Sequence, residues 1–275
     1  MQLCDIGVNL TNNRFNDDWE NTIQRAIDVG VEKLVITGTD IAESKDALLM
    51  SESWPKHCFA TIGIHPHYAK DAVDEHGNPN LFHEITELAS HENAVAIGEC
   101  GLDFNRNFSP KDIQLKVFEA QLQIACDLGM PVFLHERDAF DEQIELLKKY
   151  RSKLVGGVAH CFTGNIDQIR AYLDLDLYIG ITGWLCDPKR GKALREAVTL
   201  LPLNRILLET DAPYLMPKTL KSSSKRNEPE NLPHILEQLA TILLNQETHS
   251  GYTVQDIAQA SYRNSLTLFG LEPDN

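Results

Sequence analysis

The side chains best suited to chemistry stand at the ends of short apolar runs: His65 and His67 in GIHPH, Glu99 in GECGLD, His135 in FLHER, His160 in AHCF, and Glu209 and Asp211 in ETDAPY. Imidazoles and carboxylates together suit Zn2+, Mn2+ or Mg2+, according to how many waters the ion keeps. A lone histidine in such a place is more often a hydrogen-bonded, half-buried residue than a ligand. Several on separate runs carry more weight, because a carboxylate at the end of an apolar run needs a partner. Arg137 lies two residues after His135, on the same face of an extended chain. Its guanidinium suits a phosphate oxygen, and an ion pair with Glu136 or Asp138 is the structural alternative. His65 and His67 are related in the same way, one expected to orient substrate and the other to be structural. Glu209 is either a partner for Asp211 or part of the interior packing.

Positioning these groups takes a scaffold whose strands all end at one place. Eight β-branched runs are predicted as strands: Leu3–Asn9, Lys33–Thr37, Phe59–Ile64, Ala94–Glu99, Pro131–His135, Gly157–His160, Tyr178–Ile181 and Ile206–Glu209. Amphipathic segments alternate with them. Asp17–Val29, Leu81–His91, Asp112–Leu128, Ala139–Tyr150, Ile166–Leu173, Lys189–Leu200, Pro233–Asn245 and Val254–Phe269 are predicted helices, with Gly129 as a C-terminal stop. Repeated βα units imply an α/β protein with a parallel sheet, and eight of them fit a closed (β/α)8 TIM barrel, a single domain over residues 1–275. No GxGxxG follows the first strand, which counts against a dinucleotide-binding sheet. The irregular stretch Met216–Pro233, directly after the eighth strand, is placed to be a substrate loop, and on composition alone it reads equally as an ordinary surface loop.

Lys and Arg number 25 against 40 Asp and Glu, a net charge of −15, which excludes a protein that coats nucleic acid through a broad basic surface. A polyanionic substrate would have to be drawn in locally, by bound cations and a few arginines. The first residues show neither a basic n-region nor an apolar core of signal-peptide length, and no run is long enough to span a membrane, so a cytoplasmic location is expected. The six cysteines have no CxxC pairing and read as reduced structural thiols.

Taken in order, DIGVNLT, GIHPH, GECGLDF, PVFLHERD, HCFTG, YIGITGW, ETDAPYL and RNEP closely resemble the TatD branch of the amidohydrolase-like metal hydrolases, from Asp5 to Pro229. The resemblance implies a TIM barrel and a divalent metal. It also implies hydrolysis of DNA, as a 3′→5′ exonuclease favouring single-stranded ends and also acting on RNA. Carried over, the family's metal ligands fall on Glu99, His135, His160 and Asp211, with Asp211 and Glu99 as the catalytic carboxylates and Asp211 as general base. Asn9, His65, His67, Arg137, Arg226 and Asn227 become substrate-side groups. The wider family opens on D-x-H-x-H, whereas this chain has Asp5-Ile6-Gly7-Val8-Asn9. Losing both histidines argues against a tightly held pair of metals and favours Mg2+, with Mn2+ and Zn2+ as alternatives.

The expected mechanism is metal-assisted attack of water on phosphorus by a monomer acting on DNA ends. A small-molecule amidohydrolase or lactonase is the alternative, since the same barrel can polarise carbonyls. Arg137 and the basic KSSSKR segment favour phosphate. A chain at −15 should meet a single strand through few phosphate contacts, each adding about −0.7 to the slope of log K against log salt. Binding to a non-hydrolysable single strand at fixed metal and varied monovalent salt should therefore give a slope of about −1.4 to −2.8. A much steeper slope would indicate an extended basic groove.

Overall fold

Glycine and β-branched residues divide the work of building the sheet. Runs rich in Val, Ile and Leu form β1 (Leu3–Val8), β2 (Val31–Ile36), β3 (Cys58–Ile62), β4 (Ala94–Asp103), β5 (Val132–Arg137), β6 (Gly157–Ala159), β7 (Tyr178–Ile181) and β8 (Ile206–Leu208). This is a computed structural model that describes residues 1–222 and 224–273. The strands neighbour one another in chain order within one eight-stranded sheet, and the registers described for β3–β4, β4–β5, β5–β6 and β7–β8 are parallel. Helices α1 (Trp19–Asp28), α2 (Ile41–Ser53), α3 (Phe82–Ala89), α4 (Lys111–Leu128), α5 (Phe140–Tyr150), α6 (Ile166–Asp174) and α7 (Lys192–Ala197) follow strands one to seven in turn. α8 (Leu232–Leu243) and α9 (Val254–Phe269) complete the chain. The fold is the (β/α)8 barrel, as the alternation implies.

Two compact units can be described. One holds Met1–Val35, Cys161–Asp174 and the stretch from Tyr178 onward. In it β1 lies beside β8: Val8 bridges Ala212 in parallel, Asn9 N donates to Ala212 O at 2.7 Å and Asp211 N to Gly7 O at 2.9 Å. First and last strands are thus neighbours, the condition for a closed sheet. Every residue of β1 is buried, as are Leu232, Ile235, Leu236 and Leu239 on one face of α8. α9 starts from a reciprocal cap between Thr253 and Asp256 and ends at Gly270, φ 63°.

The second unit runs from Ile36 to His160 and includes Leu175–Leu177. Its β4 is longer than the predicted run, continuing past Glu99 to Asp103, and α2 was not among the predicted helices. α2 begins at Asp40, whose side chain accepts from Glu43 N at 2.8 Å, a sound N-cap. Its inward face escaped the apolar pattern because Ser44 and Ser51 are buried with Ala47 and Leu48, while Leu49 faces solvent.

What matters for the site is a bulge in β4. Ile97 pairs with Val132 but Cys100 with Leu134, so Gly98 and Glu99 occupy the space of a single partner residue. The strand can cross so close to β5 only because its bends are glycine: at Gly101, φ 139°, a Cβ would lie 2.0 Å from His135 O. Gly101→Ala should cost at least about 2 kcal/mol, combining an unfavourable φ with a backbone clash. Urea unfolding of the purified variant checks this, and wild-type stability would show that β4 can shift away from β5 freely.

Candidate metal centre

In the second unit the ends of β3, β4, β5 and β6 bring one carboxylate and three imidazoles together. Glu99 Oε1 lies 2.8 Å from His135 Nδ1, 3.1 Å from His160 Nε2 and 3.4 Å from His65 Nε2. Glu99, His65 and His160 are buried, and the His160 ring packs on Phe133 at 4.6 Å between centroids. Burial pushes the Glu99 carboxyl upward, but the imidazoles of His65, His160 and His135 outweigh it and hold it well below the usual carboxylate range. For His135, burial opposes the charged ring, yet the Asp103 and Glu99 carboxylates raise it to about 9. Burial lowers His65 to about 3, so that ring is neutral.

The tautomer of His65 decides its role. Its Nδ1 accepts from His67 N at 3.1 Å, so the proton of the neutral ring sits on Nε2, which faces Glu99. The ligand atoms of His65, Glu99 and His135 lie within 4.8 Å of one another. Even so, the Nδ1 lone pair of His65 is spent on the turn, and its Nε2 faces the carboxylate at 3.4 Å. His135 differs: its Nε2 is buried without a hydrogen-bond partner among the described residues, 3.7 Å from Asp103 Oδ2. An orphaned ring nitrogen beside an ionised carboxylate is what a divalent cation would satisfy.

Asp103, 1% exposed, holds His67 Nε2 at 2.7 Å. It was not singled out in the sequence, although its place four residues after Glu99 on one apolar run was a signal. Arg137 is exposed, and its side chain has no hydrogen bond or ion pair among the described residues. Neither expected structural partner takes it: Glu136 accepts from Ala139 N, and Asp138 from Asn105 Nδ2.

The other expected groups belong to the first unit. Asp211, at φ 54°, accepts from Asn9 Nδ2 at 3.0 Å, and Asn9 also donates to Ala212 O at 3.2 Å. Asp5, fully buried, accepts from the N–H and hydroxyl of Thr210, and burial pushes its carboxyl up to about 8 against that donation. β1 therefore clasps the ETDAP segment at two points. Glu209, also buried, accepts from Cys161 N. Arg226 spends its guanidinium on Asp18, Glu228 and Arg14 O, over the Phe15 ring. Asn227 is buried, donating to Thr210 O and accepting from Glu228 N and Asn231 Nδ2. Both residues brace the segment after β8, and their polar groups go to the fold first. Ser223, in the KSSSKR segment, lies outside the described residues.

The model of the family described as "TatD related DNase" matches residues 4–270. The chain belongs to that family. Membership makes this TatD-family chain a metal-dependent nuclease. A protein of Pantoea sp. (strain At-9b) named 3′-5′ ssDNA/RNA exonuclease TatD is 50% identical over 240 residues, covering 86% of this chain and 90% of the relative. A protein of the same name from Escherichia fergusonii is 46% identical over 274 residues, covering 98% and 99%. The crystal structure of a TatD homologue from Escherichia coli K12 superposes with a TM-score of 0.85 at 26% identity, over 98% of both chains. That of a TatD-family hydrolase from Entamoeba histolytica gives 0.85 at 24% over 98% of each, a likeness of fold.

Cation binding should release protons, because His135 at about 9 is protonated at neutral pH and ligates only as the neutral ring. Affinity should rise with pH up to about 9. In the metal-free protein, the stability that His135 contributes is full below its ordinary value of 6.5 and lost as pH rises through about 9. Calorimetric titration with Mn2+ in buffers of different ionisation enthalpy measures the proton count. Affinity independent of pH, with no proton released, would contradict this account.

Proposed function

We propose that this nuclease removes nucleotides from the 3′ ends of single-stranded DNA, and of RNA, as a cytoplasmic monomer working from one barrel domain. Three imidazoles converging on one oxygen of a buried carboxylate are the observation that carries the reading. The names of the Pantoea and Escherichia relatives supply the substrate and polarity. No helix among the described residues is long and apolar enough to cross a membrane. Family membership favours phosphodiester hydrolysis over the amidohydrolase or lactonase alternative.

In this proposal Glu99, His135, His160 and Asp211 hold the ion. Mg2+ is the one proposed, and the two imidazoles also admit Mn2+ and Zn2+. Bound there, it would neutralise phosphate charge and lower the pKa of water. Asp211 orients the attacking water and takes its proton, its carboxylate set by Asn9. Arg137, unspent on any neighbour, takes the charge that develops on the phosphoryl oxygens. His65, beside the Glu99 oxygen, and His67, held by Asp103, stand on the substrate side of the proposed centre. Arg226 and Asn227 serve substrate binding through the segment they brace.

Glu99→Ala should lower metal-dependent release of mononucleotides by at least about 10²-fold, the scale of losing a principal electrostatic group. The barrel should remain folded by circular dichroism. A time course on end-labelled single-stranded and duplex DNA with Mg2+, Mn2+ and Zn2+ reads both this and the preferred ion. Undiminished activity in the variant would remove Glu99 from the centre, and efficient nicking of a closed circle would remove the end-directed reading.

A further inference from the structure

We propose that Phe108 is the platform on which the unpaired base beside the scissile phosphate stacks, an inference that rests on the nuclease reading above and deepens it. Phe108 lies in the segment between β4 and α4 and is 57% exposed, a large apolar ring left in water. The exposure is not slack in a loose loop. Asp103 Oδ1 accepts from Asn105 N at 2.9 Å and Arg106 N at 2.8 Å, and Asn107 Nδ2 donates to Phe104 O at 2.6 Å. Buried Gln114 accepts from Asp103 N and donates to Asp103 O and Ser109 O. Buried Ser109 donates to His67 O at 2.9 Å and accepts from Lys70 N at 3.0 Å. With both ends of the segment tied, the ring is held out by construction.

Its position names the occupant. Phe108 meets the His67 ring edge to face at 4.7 Å between centroids, His67 meets His65 at 4.2 Å, and His65 faces Glu99. The exposed ring is therefore two side chains from the carboxylate of the metal centre. What accompanies a phosphate into that centre is a sugar and its base, and every base offers a π face to an aromatic ring. Charge points the same way: a chain at −15 has little basic surface to spend on phosphates, and stacking supplies affinity without charge. A base within a duplex has its faces covered by its neighbours, so a platform beside the centre selects strands whose end bases are free.

The test uses Phe108→Ala, Phe108→Leu and Phe108→Trp on single strands that carry either an ordinary nucleotide or an abasic residue beside the scissile phosphate. Wild type should favour the ordinary strand by about 5- to 100-fold in kcat/KM, the worth of one base–aromatic stack. In the Ala and Leu variants that ratio should collapse toward one, while Trp preserves it. In a non-hydrolysable strand, 2-aminopurine at the same position should be quenched by the wild type and brighter with Phe108→Ala, which reads the stack without turnover. Wild-type turnover of the ordinary strand tests the nuclease reading separately. An unchanged ratio in Phe108→Ala overturns the proposal, as does an equal loss on both strands, which would make the ring only a support for His67.

Discussion

In the second unit, three imidazoles are arranged around one buried carboxylate. Glu99 is 6% exposed and still ionised, a state that costs several kcal/mol unless charge and hydrogen bonds are returned to it. Three rings stand around it: His160 and His135 hydrogen-bond to Oε1 through Nε2 and Nδ1, His135 as a cation, and His65 Nε2 lies 3.4 Å away. In the proposed site a divalent cation would answer the same electrostatic demand as the proton on His135. The glycines of β4 serve this end. Without the bulge at Gly98 and Glu99, strand alternation would set the residues beyond it on the opposite faces, and Asp103 would no longer meet His67.

A second clasp works at β1. On this strand Asp5 holds Thr210 and Asn9 holds Asp211. The Asn9 contact orients the residue proposed as base. The loop after β8 is braced in the same manner: Arg226 lies between Asp18 and Glu228. Its affinity for carboxylates, the property that also suits phosphate, is satisfied within the protein.

Among the described residues, periodicity was enough to read eight of the nine α-helices and all eight strands to within a few residues, because a parallel barrel strand is a continuous apolar run. It missed α2, whose buried face includes serines, and it stopped β4 at Glu99, since nothing in spacing alone reveals a bulge. Chemistry was legible where the residue type allows few roles: Glu99, His135 and His160 do meet. The contacts of His65 and Asp103 were not, because they depend on which ring nitrogen accepts from the turn and on a register shift upstream in β4. That Arg226 and Asn227 also brace the fold could not be read from spacing, because their partners lie far away in sequence or on the backbone.

The central proposal is that Glu99, His135 and His160 hold the cation together with Asp211, while the Nδ1 of His65 stays engaged with His67 N. Crystals soaked in Mn2+ and measured at the manganese edge test it most directly. The account predicts one strong anomalous peak within coordination distance of those four side chains, with His65 Nδ1 still accepting from His67 N. A peak ligated by His65 Nε2, or one that leaves Glu99 out of the coordination shell, would contradict it.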